Sequence, residues 1–183
     1  MFQKIVSLII LLLFLPFFLI VGILIFIFDG RPILFKQKRI GKNDKEFYMY
    51  KFRTMINNLG DIPKAYIKQP QLIITITGRY LRKYSIDELP QFLNVIKGDM
   101  DLIGYRPCLP NEIEVINQRK KYQLNRYKPG ITGWAQVNGR DNIEVDEKVY
   151  LDSFYYKNHS LYLDIKILFL TVLLVILRKD VSH

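Results

Sequence analysis

The apolar positions of this chain gather at its two ends and leave an alternating, turn-punctuated middle. Ile5 to Phe28 carries no charge and is about the length that crosses the roughly 30 Å hydrocarbon core of a bilayer. The run is too long for a cleaved signal peptide, and no small-x-small site follows it. Pro16 stands in its middle and would kink a helix there. Lys4 precedes the run, and Arg31, Lys36, Lys38 and Arg39 follow it. That excess places the C-terminal side in the cytoplasm. Two arrangements stay open: a straight span, or a hairpin bent at Pro16 that enters and leaves by one face.

Asp29-Gly30-Arg31-Pro32 is a turn cluster that ends the run. Ile33 to Lys38 and Glu46 to Thr54 read as strands of a hairpin around Gly41-Lys42-Asn43-Asp44. Lys51 and Arg53, two apart, would share a strand face. They form either a solvated basic edge or two cations aimed at one phosphate. Residues 57–71 read as a polar loop, and Leu72 to Gly78 alternates weakly as a strand would. Ser85-Ile86-Asp87-Glu88 has capping-box spacing, and Leu89, Phe92, Leu93 and Ile96 then mark one helical face. Pro90 puts the helix start close to Asp87, and Gly98 stops it. Leu109 to Gln123 predicts a further helix. Leu161 to Leu177 is apolar but broken early by Asp164 and Lys166, and the remainder is too short to span. It predicts a buried or interfacial helix, with Arg178 and Lys179 toward lipid phosphates. Short strands with several helices make the fold class α+β.

At 183 residues the chain is one domain's worth, with 27 Lys and Arg against 17 Asp and Glu, a net charge of +10. The single cysteine, Cys108, excludes an internal disulfide. With only His159 and His183, a histidine-rich metal site and a Ser-His-Asp triad lack parts. Catalysis must then rest on carboxylates, Lys, Arg or Tyr. Asp87 and Glu88 stand five residues after Arg82 and near Arg79, Lys83, Lys97 and Arg106. Nearby cations keep carboxylates ionised, Mg²⁺ binds through one or two carboxylates plus substrate phosphates, and arginine forks match phosphate geometry. The capping reading is compatible, since a helix N-terminus is itself an anion site. A second dense patch, Lys128 to Arg140, holds three glycines, the only tryptophan, and Gln136, Asn138 and Arg140 as polar contacts. Its spacing fits neither phosphate-loop fingerprint, and a plain structural loop is the alternative. The charge also allows a non-catalytic adaptor on anionic lipid or nucleic acid. No nucleic-acid motif is present, and the acid pair would then be unneeded.

Four segments follow one another in order: FKQKRIGKNDKEFYMYKFRTM, LRKYSIDELPQFLNVIKGDMDLIGYRP, KPGITGWAQVNGR and LDSFYYKNHSLYLDIKI. Together they resemble the bacterial sugar transferases, the monotopic polyprenol-phosphate phosphoglycosyl transferases, over nearly the whole chain. The resemblance implies a mostly helical cytoplasmic domain with a short β-hairpin. Residues 1–30 become a re-entrant membrane helix broken at Pro16, and 31–183 the catalytic domain, with a membrane-interface helix at about 161–178. The protein would sit on the cytoplasmic face of the bacterial inner membrane. It would move a phosphosugar from a UDP-sugar to polyprenol (undecaprenyl) phosphate and release UMP, beginning a glycan.

Residue by residue, the resemblance makes Asp87 the nucleophile of a covalent intermediate and places Mg²⁺ at Asp87 and Glu88. It puts Lys51, Arg82, Arg106 and Arg140 on the substrates, beside Arg53 and Gln136 from the residue reading. The partners are then the donor, the lipid acceptor and membrane lipid, with no nucleic acid and a homo-oligomer left open. The same Asp-Mg²⁺ chemistry would serve a phosphohydrolase, with water in place of the acceptor. Three positions depart from the family pattern. Leu15 replaces the serine before Pro16, Asp101 replaces a serine and would compete for the metal, and Tyr105 replaces a proline. The last change is expected to loosen the loop that aims Arg106.

Overall fold

A computed structural model of the chain describes residues 2–56, 73–139 and 143–177. The predicted 57–71 loop, Arg140, Arg178 and Lys179 lie outside the described residues. The apolar run forms two helices, α1 (Phe2–Leu13) and α2 (Leu15–Asp29), bent by 62° at their junction. Pro16 falls in the first turn of α2, where its missing N–H leaves no bond unmade. It therefore starts a second helix instead of kinking one. Among the described residues no single helix is long and apolar enough to cross a membrane.

Both ends of the bent pair return to the same body. Near the start of α1, Gln3 Oε1 accepts from the Leu102 amide at 2.7 Å. Val21 and Ile25 of α2 are buried with Phe52 and Leu81, and Phe18, Ile33 and Ile86 pack against them. The outward faces, including Leu12, Leu13, Leu19, Ile20, Ile23, Ile27 and Phe28, stay exposed. A contiguous apolar surface of this kind marks a protein or membrane contact.

The predicted hairpin forms. β1 (Leu34–Ile40) and β2 (Glu46–Phe52) pair antiparallel from Leu34↔Phe52 to Ile40↔Glu46. Asn43 and Asp44 take the positive φ values, 55° and 59°, that the tight turn needs. Successive strand residues point to opposite faces, and β2 is covered on both: Phe52 meets α2, while Met49 packs with Val95 and Met100. Lys51 shares the face of Met49.

The expected strand at Leu72 to Gly78 is replaced by α3 (Ile76–Lys83). Leu72 lies outside the described residues, and among the described residues of that stretch only an isolated bridge, Met55↔Ile74, is strand-like. Thr75 then acts as an N-cap, its side chain accepting from the Gly78 amide at 3.0 Å. Beyond the acid pair come α4 (Phe92–Lys97), β3 (Asp101–Ile103), α5 (Ile113–Lys121), β4 (Gly130–Thr132), α6 (Trp134–Asn138), α7 (Val145–Lys157) and α8 (Leu161–Leu177). α1 packs against α4 and β3, and α2 against α3. β3 and β4 pair in parallel, and the glycines of the second dense patch make that approach possible. A Cβ at Gly130 would lie 2.1 Å from the Gly104 nitrogen, and one at Gly133 1.9 Å from the Gly104 oxygen. α8 buries Leu163 and Ile167 against Ile103 and Tyr155. It leaves Tyr162, Ile165, Phe169, Val172 and Ile176 exposed, as an interfacial helix would. The fold is α+β and mostly helical.

Candidate active site

The acid pair does not open an α-helix. Residues 86–91 form a 3-10 turn containing Pro90, and the regular helix α4 begins only at Phe92. Ser85 sits in the left-handed region (φ 53°) and makes no side-chain cap. The carboxylate that the capping box would have turned back onto Ser85 instead faces outward to two cations. Lys51 Nζ lies 2.7 Å from Glu88 Oε1. Arg106 Nη2 donates to the same oxygen at 2.8 Å, and its Nη1 reaches Oε2 at 3.4 Å.

The face that α4 buries also differs from the expected apolar stripe. In α4 Asn94 and Val95 are buried while Leu93 is exposed, and in the preceding turn Asp87 and Gln91 are buried. Asn94 explains the change. Its side chain accepts from the Tyr50 amide at 3.0 Å and donates to the Tyr48 carbonyl at 2.7 Å. It stands in for a further strand on the edge of β2. That contact fixes α4 and the 3-10 turn against β2 and brings Glu88 to Lys51. An Asn inside a helical pattern was the only sequence signal, and it was missed.

The two adjacent carboxylates have opposite environments. Burial would push Glu88 up, but Arg106 and Lys51, through charge and hydrogen bonds, hold it well below the usual carboxylate range. Burial pushes Asp87 up. The Glu88 charge adds to that, and Lys51, Arg82 and Arg106 only partly offset it. Among the described residues no donor is hydrogen-bonded to the Asp87 side chain. One acid is locked and anionic; its neighbour is desolvated and open. As oxygen donors the pair suits a hard cation completed by phosphate oxygens: Asp87 is uncommitted, and Glu88 Oε2 makes only the long Arg106 contact. Asp101 does not join them. No cluster of three or more His, Cys, Asp or Glu converges among the described residues, and Asp101 sits in β3 with its carboxyl pushed up by burial.

The loop that carries Arg106 is pinned carbonyl by carbonyl. The Tyr105 oxygen accepts from the Gly130 amide at 2.8 Å and the Cys108 oxygen from the Ile40 amide at 3.0 Å. Arg106 O accepts from Arg119 at 2.8 Å and Pro107 O from Arg39 at 3.0 Å. Replacing the expected proline by Tyr105 therefore does not loosen the loop. Tyr105 is itself buried, and its hydroxyl donates to the Tyr127 carbonyl at 3.1 Å.

The structure gathers Lys51, Asp87, Glu88 and Arg106, with Arg82 near enough to act on the charge of Asp87. It does not gather Arg53 and Gln136 with them. Arg53 is buried, and its guanidinium donates to the carbonyls of Asp29, Gly30 and Arg31 at the end of α2. Gln136 donates to Ile131 O at 3.0 Å inside its own loop. Lys97 lies over the Tyr50 ring at 4.4 Å.

A family model described as bacterial sugar transferase matches residues 1–178. The chain is 45% identical over 154 residues to the uncharacterized sugar transferase EpsL of Bacillus subtilis (strain 168), covering 84% of this chain and 75% of that protein. It is 40% identical over 170 residues to undecaprenyl-phosphate galactose phosphotransferase of Salmonella typhimurium, covering 85% of this chain and 35% of that protein. Against UDP-N-acetylgalactosamine-undecaprenyl-phosphate N-acetylgalactosaminephosphotransferase of Aeromonas hydrophila it is 38% identical over 165 residues, covering 87% and 39%. The chain thus spans less than two fifths of the last two proteins. The family match runs through the bent apolar pair, the acid pair and its cations alike, and the chain belongs to the bacterial sugar transferases.

Proposed function

We propose that the chain is a phosphoglycosyl transferase that moves a phosphosugar from a UDP-sugar to polyprenol phosphate, with Asp87 as the nucleophile. The observation that carries this reading is the division of labour in the acid pair: a locked Glu88 beside a buried, unbonded Asp87. A raised pKa makes the ionised Asp87 a stronger base and hence a better nucleophile. Its oxygen attacks the sugar-linked phosphorus, the bond from that phosphorus to the bridging oxygen breaks, and UMP leaves with the electron pair. An oxygen of polyprenol phosphate then attacks the same phosphorus and releases the Asp87 carboxylate. Two displacements replace one hard one. Lys51, Arg82 and Arg106 neutralise charge as it builds on the leaving phosphate. Mg²⁺, held by Asp87 and Glu88, would supply further neutralisation of the diphosphate oxygens.

The acceptor is confined to lipid, so the site must sit at headgroup height. The return of both ends of the α1–α2 pair to one body supports re-entrance, since a spanning helix would leave its N-terminus on the far side. The exposed apolar face of α8 supports an interfacial position. On this reading the protein is monotopic, on the cytoplasmic face of the bacterial inner membrane.

The test is UMP release from a panel of UDP-sugars, with Mg²⁺, purified protein in detergent and undecaprenyl phosphate. One UMP per protein without acceptor, multiple turnover only with acceptor, dependence of both on metal and Asp87, and an Asp87→Asn chain that is folded but inactive are the expected result. Substantial turnover by Asp87→Asn would sink the nucleophile assignment, and multiple turnovers of UMP release that ignore the acceptor would make the chain a hydrolase.

A further inference from the structure

The transfer chemistry leaves a buried charge cluster unused. Arg119 of α5 is 4% exposed and Asp152 of α7 is 2% exposed. Arg119 Nη2 donates to the Arg106 carbonyl at 2.8 Å and lies 3.5 Å from Asp152 Oδ2. Its guanidinium carbon stands 4.3 Å from the centroid of the Tyr105 ring. Nε and Nη1 of Arg119 find no hydrogen-bond partner among the described residues, so the ring face takes their place.

Burying a guanidinium with so few partners is costly. A residue wanted only for packing would be apolar. What this one holds is specific. Its shortest hydrogen bond goes to the backbone of the residue whose side chain grips Glu88. Fixing the carbonyl of Arg106 fixes the peptide plane that follows its Cα, and with it the direction in which the side chain leaves.

We propose that Arg119, held between Asp152 and the face of Tyr105, is a positioning residue that aims Arg106 at Glu88 and at the phosphate that reacts there. The proposal rests on the reading of the acid pair as the transfer site. Arg119 itself touches no substrate. Lysine at this position keeps the charge but cannot donate to the carbonyl and stack on the ring together.

The experiment is a double-mutant cycle on the full chain in detergent, with Arg119→Lys, Arg106→Ala and the pair, read by single-turnover UMP release. A small misplacement of a positioning group can cost about 100-fold, so Arg119→Lys should lose about 10- to 100-fold in rate. In the Arg106→Ala background the same change should cost less than about two-fold, because no side chain is left to aim. UDP affinity, measured in parallel by calorimetry, reads the same cycle if Arg106→Ala turns over too slowly to time. Asp152→Asn, which loosens Arg119 without changing shape, should lose activity in the same direction and serves if Arg119→Lys does not fold. Equal losses with and without Arg106, or no loss in Arg119→Lys, would overturn the proposal. A wild-type chain that neither releases UMP nor binds UDP would instead overturn the reading of the site.

Discussion

Arg53→Met keeps most of the side chain's apolar length and removes the guanidinium that donates to Asp29 O, to Gly30 O at 2.8 Å and to Arg31 O at 2.7 Å. Asp29 is the last residue of α2, Gly30 its C-cap and Arg31 the residue beyond; carbonyls at a helix C-terminus lack intrahelical partners, and a cation is also favoured there by the helix dipole. Hydrogen bonds from a charged donor contribute about 1.5–3 kcal/mol each, which would set an upper bound near 9 kcal/mol. Asp29 and Gly30 are only half-buried and Arg31 is exposed, so water recovers much of it, and a net loss of about 3 kcal/mol is expected. For a chain of this size each kcal/mol moves Tm by about 2–4 °C, giving a drop of about 6–12 °C. Arg53→Lys, with one ammonium for a fork of donors, should lose about half as much. The assay pairs thermal unfolding in detergent with steady-state KM for the UDP-sugar that turns over. A lowered Tm with an unchanged KM is expected. A Tm within about 2 °C of wild type together with a ten-fold higher KM would refute the reasoning and return Arg53 to the substrate.

Two further outcomes follow from the packing. Burial raises the Asp152 carboxyl from 3.8 to about 6, with Arg119 offsetting only part of the effect. The folded chain then binds that proton more tightly than the unfolded chain, so the stability it contributes is present below pH 4 and lost as pH rises through 6. By about 3 kcal/mol at most, wild type should lose stability relative to Asp152→Asn between pH 4 and pH 7.5 in a Tm series, and a flat or rising difference would contradict this. Single cysteines at Lys4 and Arg31 should be labelled from the same side of the membrane, with little background because Cys108 is buried. Labelling from opposite sides would mean that the apolar run spans.

What the sequence made legible was local. The hairpin could be read because its alternation and its turn lie within about twenty residues, and the break at Pro16 because proline acts on its own neighbours. What it hid was long-range. The capping box at Ser85 to Glu88 failed because Lys51 and Arg106, 37 and 18 residues away, compete for the same carboxylate and win. The buried face of α4 was misassigned because Asn94 serves the backbone of β2, 46 residues upstream. Arg53 was assigned to phosphate because composition cannot tell a cation that serves an anion from one that serves helix carbonyls. Tyr105 was read as a loss of stiffness because the family pattern shows the missing proline but not the ring of Arg119, Gly130 and Tyr127 around its replacement.

Residues 51–53 couple the α1–α2 pair to the acid pair. Lys51 holds Glu88, Phe52 packs beneath Val21 and Ile25 of α2, and Arg53 closes the end of that helix. Neighbouring strand residues face opposite ways and rise about 3.3 Å each. The link from the α1–α2 pair to the acid pair therefore runs through two adjacent residues, Phe52 and Lys51, with no flexible linker between them. From the other side, α1 packs on α4, the helix that directly follows the acid pair. The apolar hairpin is thus fastened to the site through both of its arms. If it lies re-entrant, the height of Asp87 above the lipid is set by rigid contacts on two sides. A lipid phosphate that cannot leave the headgroup layer could then be met at the same place on every turnover. A tether would only hold a chain at the membrane; on the proposed reading this arrangement would hold Asp87 at one level within it.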